Sequence, residues 1–385
     1  MSNGQKIRAT AETSLIVLFM VVLWLPILGM CFHWGVMTSA QENRRLAVFP
    51  SLSTDPRVLA AFPANFKIYF QDNFGFRDTL IRWQALARVK LLGVSSSPQV
   101  ILGKEGWLFH AVEYSNKGEP LIPPFNEEQL ARWQRFLEGW RDWLAQRGIR
   151  YLFTVAPGKH TIYPEYLPDT FRRDRTSRLD QLIAYLKEHS TLEILDLRPA
   201  LFKAKASHLL YHKTDTHWNY YGGLVAYQAI FRELGGLLTG QQMISESDCL
   251  VATQKYTGDL VRMLGLTGVI TEEIQILSLP KQEYTGADGQ PISSPKVDEI
   301  TISKREGARL PRMVMMMDSF SQYLFRFFAP HFSRASFVWR REFDPEFING
   351  EHPDILIQEM AEVHLMNDPP AEAPGISRGS EARKE

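Results

Sequence analysis

Cysteine is almost missing from this 385-residue chain: Cys31 lies inside an apolar run and Cys249 stands alone downstream. No disulfide framework can be read from that pair. A large core does without staples, so the scarcity leaves an oxidising compartment open. Net charge is missing too. The 43 Lys and Arg balance 43 Asp and Glu, which argues against nucleic acid as the main partner. The chain has no internal repeat and shows no nucleotide or coenzyme A motif. From Asn367 to Glu385 there is almost no large apolar residue, and this tail reads as disordered.

One absence is local and informative. Ser14 to Val36 carries no Asp, Glu, Lys or Arg, and a run of about 20 such residues suits a membrane span. Lys6 and Arg8 precede it, which keeps the N-terminus cytoplasmic. The alternative is a cleaved signal peptide, with Thr38-Ser39-Ala40 permitting cleavage. The run exceeds a usual signal core of ~7–15 residues, which favours an uncleaved anchor in the inner membrane. Pro26 and Gly29 interrupt it. Either way the remaining chain lies outside the cytoplasm, in the periplasm for an inner-membrane anchor.

Residues 1–40 are therefore read as a cytoplasmic N-terminus with its anchor, and 41–100 as a juxtamembrane connector and helix. Within the latter, 41–62 has little pattern. Phe66 to Lys90 is aromatic and basic, amphipathic from Asp78 onward. A domain follows over 101–366. Trp107 starts a short apolar strand after the Gly103–Gly106 turn. Asn126 caps a helix running to about Arg147, which Gly148 ends. A βα rhythm then sets in. Strands are predicted at Arg150–Val155, Leu192–Asp196, Met313–Met317, Ser336–Trp339 and Asp354–Ile357. Helices are predicted at Asp174–His189, Gly222–Leu234, Ser321–Ala329 and from the last strand to His364. This alternation implies an α/β fold with helices on both faces of a mostly parallel sheet. Residues 240–310 break the rhythm. They are polar and turn-rich (Gly286, Gly289, Pro291, Pro295) and read as an insertion with short β elements. Ligand sites in such sheets lie beyond the carboxyl ends of strands, where Ser319 and Lys159 fall.

Two segments carry chemistry. Thr214-Asp215-Thr216-His217-Trp218-Asn219 offers a carboxylate and an imidazole two residues apart. Extended backbone puts both on one face. Asp318-Ser319 follows an apolar strand and opens a helix. A serine needs a base, and the base an orienting group. Helix N–H groups beside Ser319 suit an oxyanion. The alternatives are an N-cap at Asp318 or Ser319, a surface Asp–His pair, and zinc held by His212, Asp215 and His217.

Further along, Asn73-Phe-Gly75-Phe-Arg77-Asp78, Gly103-Lys-Glu-Gly106-Trp107-Leu-Phe109, Pro157-Gly-Lys159-His-Thr-Ile-Tyr163-Pro164, Lys213-Thr-Asp215-Thr-His217-Trp218-Asn219 with Gly222, Gly258-Asp259-Leu260 with Met263-Leu-Gly265-Leu, and Pro353-Asp354-Ile-Leu-Ile357 with Glu362 occur in order. Together they resemble the AlgJ/AlgX family of alginate O-acetyltransferases, over roughly 62–365. The single anchor and total length, with no room for an added carbohydrate-binding domain, resemble the AlgJ branch.

That resemblance implies a circularly permuted SGNH-hydrolase-like fold, three-layer α/β/α, with Ser319 as nucleophile, His217 as base and Asp215 as orienter. It implies O-acetylation of an exopolysaccharide such as alginate, with acetyl arriving from a multi-pass membrane acyltransferase. No cofactor and no metal is expected. The rival readings are a carbohydrate esterase and a non-catalytic scaffold of an export complex. One departure stands out: Met317 occupies a position where the family has glycine. The Ser319 N–H is the one oxyanion donor that can be named. Lys159 and Tyr163, in a loop beyond a strand, and Trp218, beside the base, are candidate sugar contacts. Arg340 and Arg341 are candidates for an anionic sugar. Each has a bland alternative: a solvated loop, core packing, or a solvated strand end.

Overall fold

The computed structural model describes residues 3–31, 38–39, 44–112, 121–171, 176–280, 284–286, 289–290, 295–305, 309–340, 342–370 and 373–374. Arg341 and most of the tail predicted to be disordered fall outside them. The chain divides into two compact units, residues 1–97 with 261–269, and 98–260 with 270–385.

The first unit contains the apolar helix Asn3–Cys31. Its stretch Glu12–Met30 is long and apolar enough to cross a membrane. Residues 32–36 of the predicted span lie outside the described residues. A second helix, Pro56–Asn73, begins inside the segment expected to be patternless. Asp55 accepts from the Arg57 N–H, and Pro56 occupies a first-turn position where no N–H is needed. A third helix, Arg77–Leu86, continues into a wider turn over Ala87–Leu91.

The second unit is built on a sheet whose described strands run in the order Leu195–Asp196, Arg150–Ala156, Ile355–Ala361, Arg312–Met316, Arg334–Val338, Ile300–Lys304 and Thr285–Gly286. The first five are parallel; Ile300–Lys304 pairs antiparallel with Arg334–Val338, and Thr285–Gly286 antiparallel with Ile300–Lys304. Side chains alternate in and out with the strand period. Met313, Met315, Ile355 and Ile357 join one apolar cluster, with Tyr227 and Phe327. Val314, Met316 and Leu356 join the other, with Trp133, Trp140 and Leu182. Helices Glu127–Ala145 and Arg178–His189 feed one cluster, and Tyr220–Leu234 the other. This is a three-layer α/β/α arrangement, with both sheet faces buried under helices.

Caps explain several boundaries. Asn126 forms a reciprocal capping box with Gln129. Ser177 does the same with Asp180, so the next helix starts at Arg178, not Asp174. The predicted helix at Ser321–Ala329 is broken into short turns over Phe320–Tyr323, Phe325–Phe328 and Ala329–His331. Ser321 directs its hydroxyl to Glu359, and Pro330 supplies no N–H. The predicted last helix is a 3-10 turn, Glu362–Met366. Within 240–310 lie a hairpin, Leu250–Tyr256 with Glu272–Ser278, and the strand Ile300–Lys304, which belongs to the main sheet.

Candidate active site

The strand Arg312–Met316 lies in the interior of the sheet and delivers Asp318-Ser319 at its carboxyl end. The Met317 N–H still donates to Val338 O, at 2.9 Å, so the chain leaves the sheet only after that residue. Met317 is buried and does not have a positive φ. This turn therefore does not call on the freedom that glycine would supply. Asp318 takes the capping role. Its Oδ1 accepts from the Phe320 N–H at 2.9 Å, and its Oδ2 from the Ala361 N–H at 2.6 Å. Ser319 makes no side-chain cap bond. Its hydroxyl instead lies 2.7 Å from His217 Nε2.

His217 Nδ1 lies 2.6 Å from Asp215 Oδ1. With that nitrogen carrying the proton, Nε2 is left as the acceptor facing Ser319. Asp215 receives three further bonds: from the His217 N–H at 3.1 Å, from Tyr256 Oη at 2.5 Å, and from the Asp259 N–H at 3.0 Å. Burial pushes the Asp215 pKa up. The hydrogen bond and charge of His217, with the Tyr256 hydroxyl and Asp259 N–H, outweigh it and hold the carboxyl far below its usual range. For His217, burial pulls the pKa down. The Asp215 bond and charge, with Asp259 and Asp318 behind, raise it above 6.5 on balance.

The loop carrying Asp215 is gripped from outside by charged groups. Lys159 Nζ donates to the carbonyls of His212 (3.0 Å), Lys213 (3.3 Å) and Asp215 (2.6 Å). That is the full donor complement of an ammonium. Glu272 accepts from the N–H groups of Lys213 (2.9 Å) and Thr214 (2.8 Å) and from the Thr214 hydroxyl (2.5 Å). Asp259 accepts from the Thr216 N–H and hydroxyl, both at 2.9 Å. A β-carbon on Gly258 would sit 2.1 Å from Thr214 O, so only glycine permits this approach.

The structure thus brings Ser319, His217 and Asp215 together, with Lys159 and Trp218 bonded to the backbone around them. Lys159 is buried beneath the loop, not solvated beyond it. Burial pushes its pKa down to about 7 against the pull of Asp215, Asp259 and Glu272. Tyr163 packs on Trp107 at 4.6 Å between ring centroids, and its hydroxyl accepts from the Leu210 N–H at 2.9 Å. Burial pushes its pKa up to about 12. Trp218 is fully buried and donates Nε1–H to Phe320 O at 3.0 Å. All three spend polar atoms on backbone partners. Arg340 is exposed and donates to Asp298 O at 3.3 Å. Nothing among the described residues brings it to the triad.

His212 does not join a metal-binding set either. Its Nε2 faces Tyr323 Oη at 3.2 Å, and burial pushes its pKa down to about 4. Asp215, His217 and Asp259 do place ligating atoms within 4.8 Å of one another. Those atoms are already engaged with each other, Tyr256 and Thr216. Beside the triad, a cavity of about 60 Å³ is lined by Phe109, His110, Gly158, Lys159, Thr216 and Phe320, the last two adjoining His217 and Ser319 in the chain.

Tyr256 and Glu272 carry no local motif and sequence reasoning missed their part. Gly258-Asp259 stands among the family-like segments, which give it no role in sequence alone.

A parallel sheet under helices, with a hydrogen-bonded serine, histidine and aspartate at its carboxyl edge, defines an SGNH-hydrolase-like α/β domain. The chain belongs to the family described as the SGNH hydrolase-like domain of acetyltransferase AlgX, whose model matches residues 100–294. It is 31% identical over 179 residues to the probable alginate O-acetylase AlgJ of Pseudomonas putida, covering 44% of this chain and 43% of that one. It is 22% identical over 231 residues to the AlgJ of Azotobacter vinelandii, covering 59% and 57%. The chain thus spans about half the length of the curated relatives it matches. Among solved structures, Bacillus cereus PatB1 with a sulfonyl adduct matches with TM-score 0.51 at 15% identity, over 70% of this chain and 98% of that one. A DHHW family protein from Eubacterium siraeum matches with TM-score 0.51 at 17% identity, over 70% and 96%. These two likenesses support the fold.

Proposed function

We propose that this chain is a membrane-anchored O-acetyltransferase acting outside the cytoplasm on an exopolysaccharide, alginate or a similar polymer. The observation that carries the reading is the continuous relay from Asp215 through His217 to Ser319, with contacts of 2.6 and 2.7 Å. The family and the AlgJ relatives support acetyl as the group transferred.

Ser319 Oγ attacks the acetyl carbonyl while His217 Nε2 takes its proton. Asp215 holds the ring and stabilises the imidazolium. The Ser319 N–H donates to the oxyanion. The tetrahedral adduct collapses to an acetyl-serine, and His217 returns the proton to the leaving oxygen. A sugar hydroxyl, deprotonated in turn by His217, attacks the acetyl-serine and restores the enzyme. A multi-pass membrane acyltransferase is the proposed donor, and the helix Glu12–Met30 is the proposed inner-membrane anchor, with the catalytic unit in the periplasm. The chain needs no cofactor for these steps.

Ser319→Ala tests the reading, since it removes the nucleophile at little change in volume. Wild-type protein, given an acetyl ester and a uronic-acid-rich oligosaccharide, is expected to yield acetylated sugar in excess over free acetate. The variant is expected to lose this activity by several orders of magnitude. Free acetate alone would favour an esterase. Full activity in the variant would overturn the covalent mechanism.

A further inference from the structure

The segment that follows the apolar helix buries almost nothing within its own unit. Helix Pro56–Asn73 has Asp72 as its single buried residue. Along it runs a ladder of rings: Phe62 to Phe66 at 5.9 Å, Phe66 to Phe70 at 6.4 Å, and Phe70 to Phe74 at 5.7 Å. Beyond the Gly75 turn, Leu80, Trp83 and Leu91 recur at helical spacing along Arg77–Leu91. Trp83 is 65% exposed and Leu91 81% exposed. Exposed apolar side chains clustered in this way mark a contact surface.

Three points favour a bilayer as the occupant. First, the turn between the two helices is seated on the C-terminal end of the apolar helix. A β-carbon on Gly75 would lie 2.3 Å from Pro26 O, and one on Gly29 would lie 3.1 Å from the Phe76 ring. Pro26 and Gly29 fall in the last turns of the span Glu12–Met30. The turn therefore sits where that helix leaves the membrane. Second, the segment is basic in composition: residues 56–92 hold Arg57, Lys67, Arg77, Arg82, Arg88 and Lys90 against Asp72 and Asp78. Third, an aromatic and aliphatic face beside basic side chains is the composition of a helix lying in the headgroup region.

We propose that residues 56–92 form a second membrane contact, an interfacial element that lays Leu80, Trp83 and Leu91 into the outer boundary of the bilayer and sets its basic side chains among anionic headgroups. This rests on the anchor reading above. The test uses the full chain, with both native cysteines replaced by serine, in vesicles of phosphatidylcholine and phosphatidylglycerol with no other protein. One nitroxide label is placed at a time, through Leu18→Cys, Arg82→Cys, Trp83→Cys or Leu91→Cys. Collision with oxygen is compared with collision with a water-soluble nickel chelate. Labels at 83 and 91 are expected to be shielded from nickel, at a depth of about 5–10 Å. The label at 82 is expected to stay accessible, and the label at 18 to lie deepest. Nickel access at 83 and 91 equal to that at 82 would overturn the proposal. If the label at 18 is then still deep, the anchor stands and the stripe is left for a protein partner. If it is also accessible, the anchor reading falls as well.

Discussion

Replacing Lys159 by methionine separates two roles for that residue. The change keeps length and apolar stem but removes all three donors from the carbonyls of His212, Lys213 and Asp215. Lys213 O keeps the Leu108 N–H at 2.9 Å, whereas the carbonyls of His212 and Asp215 lose a buried donor, at about 1–3 kcal/mol each. The variant no longer has to desolvate an ammonium, which offsets part of that sum. Breaking a buried charged contact from one side generally costs about 3–5 kcal/mol, so a net loss of about 3 kcal/mol is expected. For a domain of this size that lowers the melting temperature by roughly 6–12 °C. The freed loop also carries Asp215 and His217, and a displacement of about 1 Å at such a site costs ~100-fold in rate. Thermal unfolding by circular dichroism and turnover of an acetyl ester read the two effects. The reasoning predicts a lower melting temperature and a lower kcat together. An unchanged melting temperature with only a raised KM would refute it and return Lys159 to the substrate surface.

Other outcomes follow from the same network. Tyr256→Phe removes one donor from the Asp215 carboxylate, a charge-assisted bond at 2.5 Å worth about 1.5–3 kcal/mol, so kcat/KM is expected to fall ~10–100-fold. His217 must be neutral to act as a base, and its pKa is already raised above 6.5. Activity therefore declines as pH drops through that raised value. A carboxylate with one donor fewer holds the imidazolium more tightly, so the acid limb should move further up in Tyr256→Phe; a pH–rate profile checks this, and a downward shift would contradict it. Gly258→Ala would force its methyl to within 2.1 Å of Thr214 O unless the loop moves. A destabilisation of about 1–3 kcal/mol, with loss of turnover, is expected in a melt and an esterase assay; wild-type values would contradict the close approach.

Much of the fold was legible because its signals are local. The strands Arg150–Ala156 and Arg312–Met316 are short apolar runs, and Asn126 and Asn219 mark helix starts by chemistry that needs no partner element. The relay residues were legible as a spacing, Asp-x-His, and as a serine after a strand. What escaped was set by tertiary contact. Ile300–Lys304 has no core-strand pattern, yet pairs antiparallel along Arg334–Val338. Lys159 reads as a loop residue open to sugar or solvent because nothing near it in sequence shows the three carbonyls that bury it. Trp218 reads as a sugar platform because an aromatic beside a base looks the same whether it faces solvent or core, and Tyr163 reads as a sugar contact because its loop follows a strand's carboxyl end. Tyr256 lies in a largely exposed strand, where a tyrosine carries no sign that its hydroxyl reaches Asp215.

The central claim is that Ser319 carries the acetyl group, and the most direct measurement is to catch it there. Full-length protein is mixed with an acetyl ester donor, quenched in acid within the first turnover, digested and mapped by mass spectrometry. A single acetyl group on Ser319 is predicted, with none at that position in Ser319→Ala and slower appearance in His217→Ala. Acetylation confined to other residues, or undiminished in Ser319→Ala, would contradict the account.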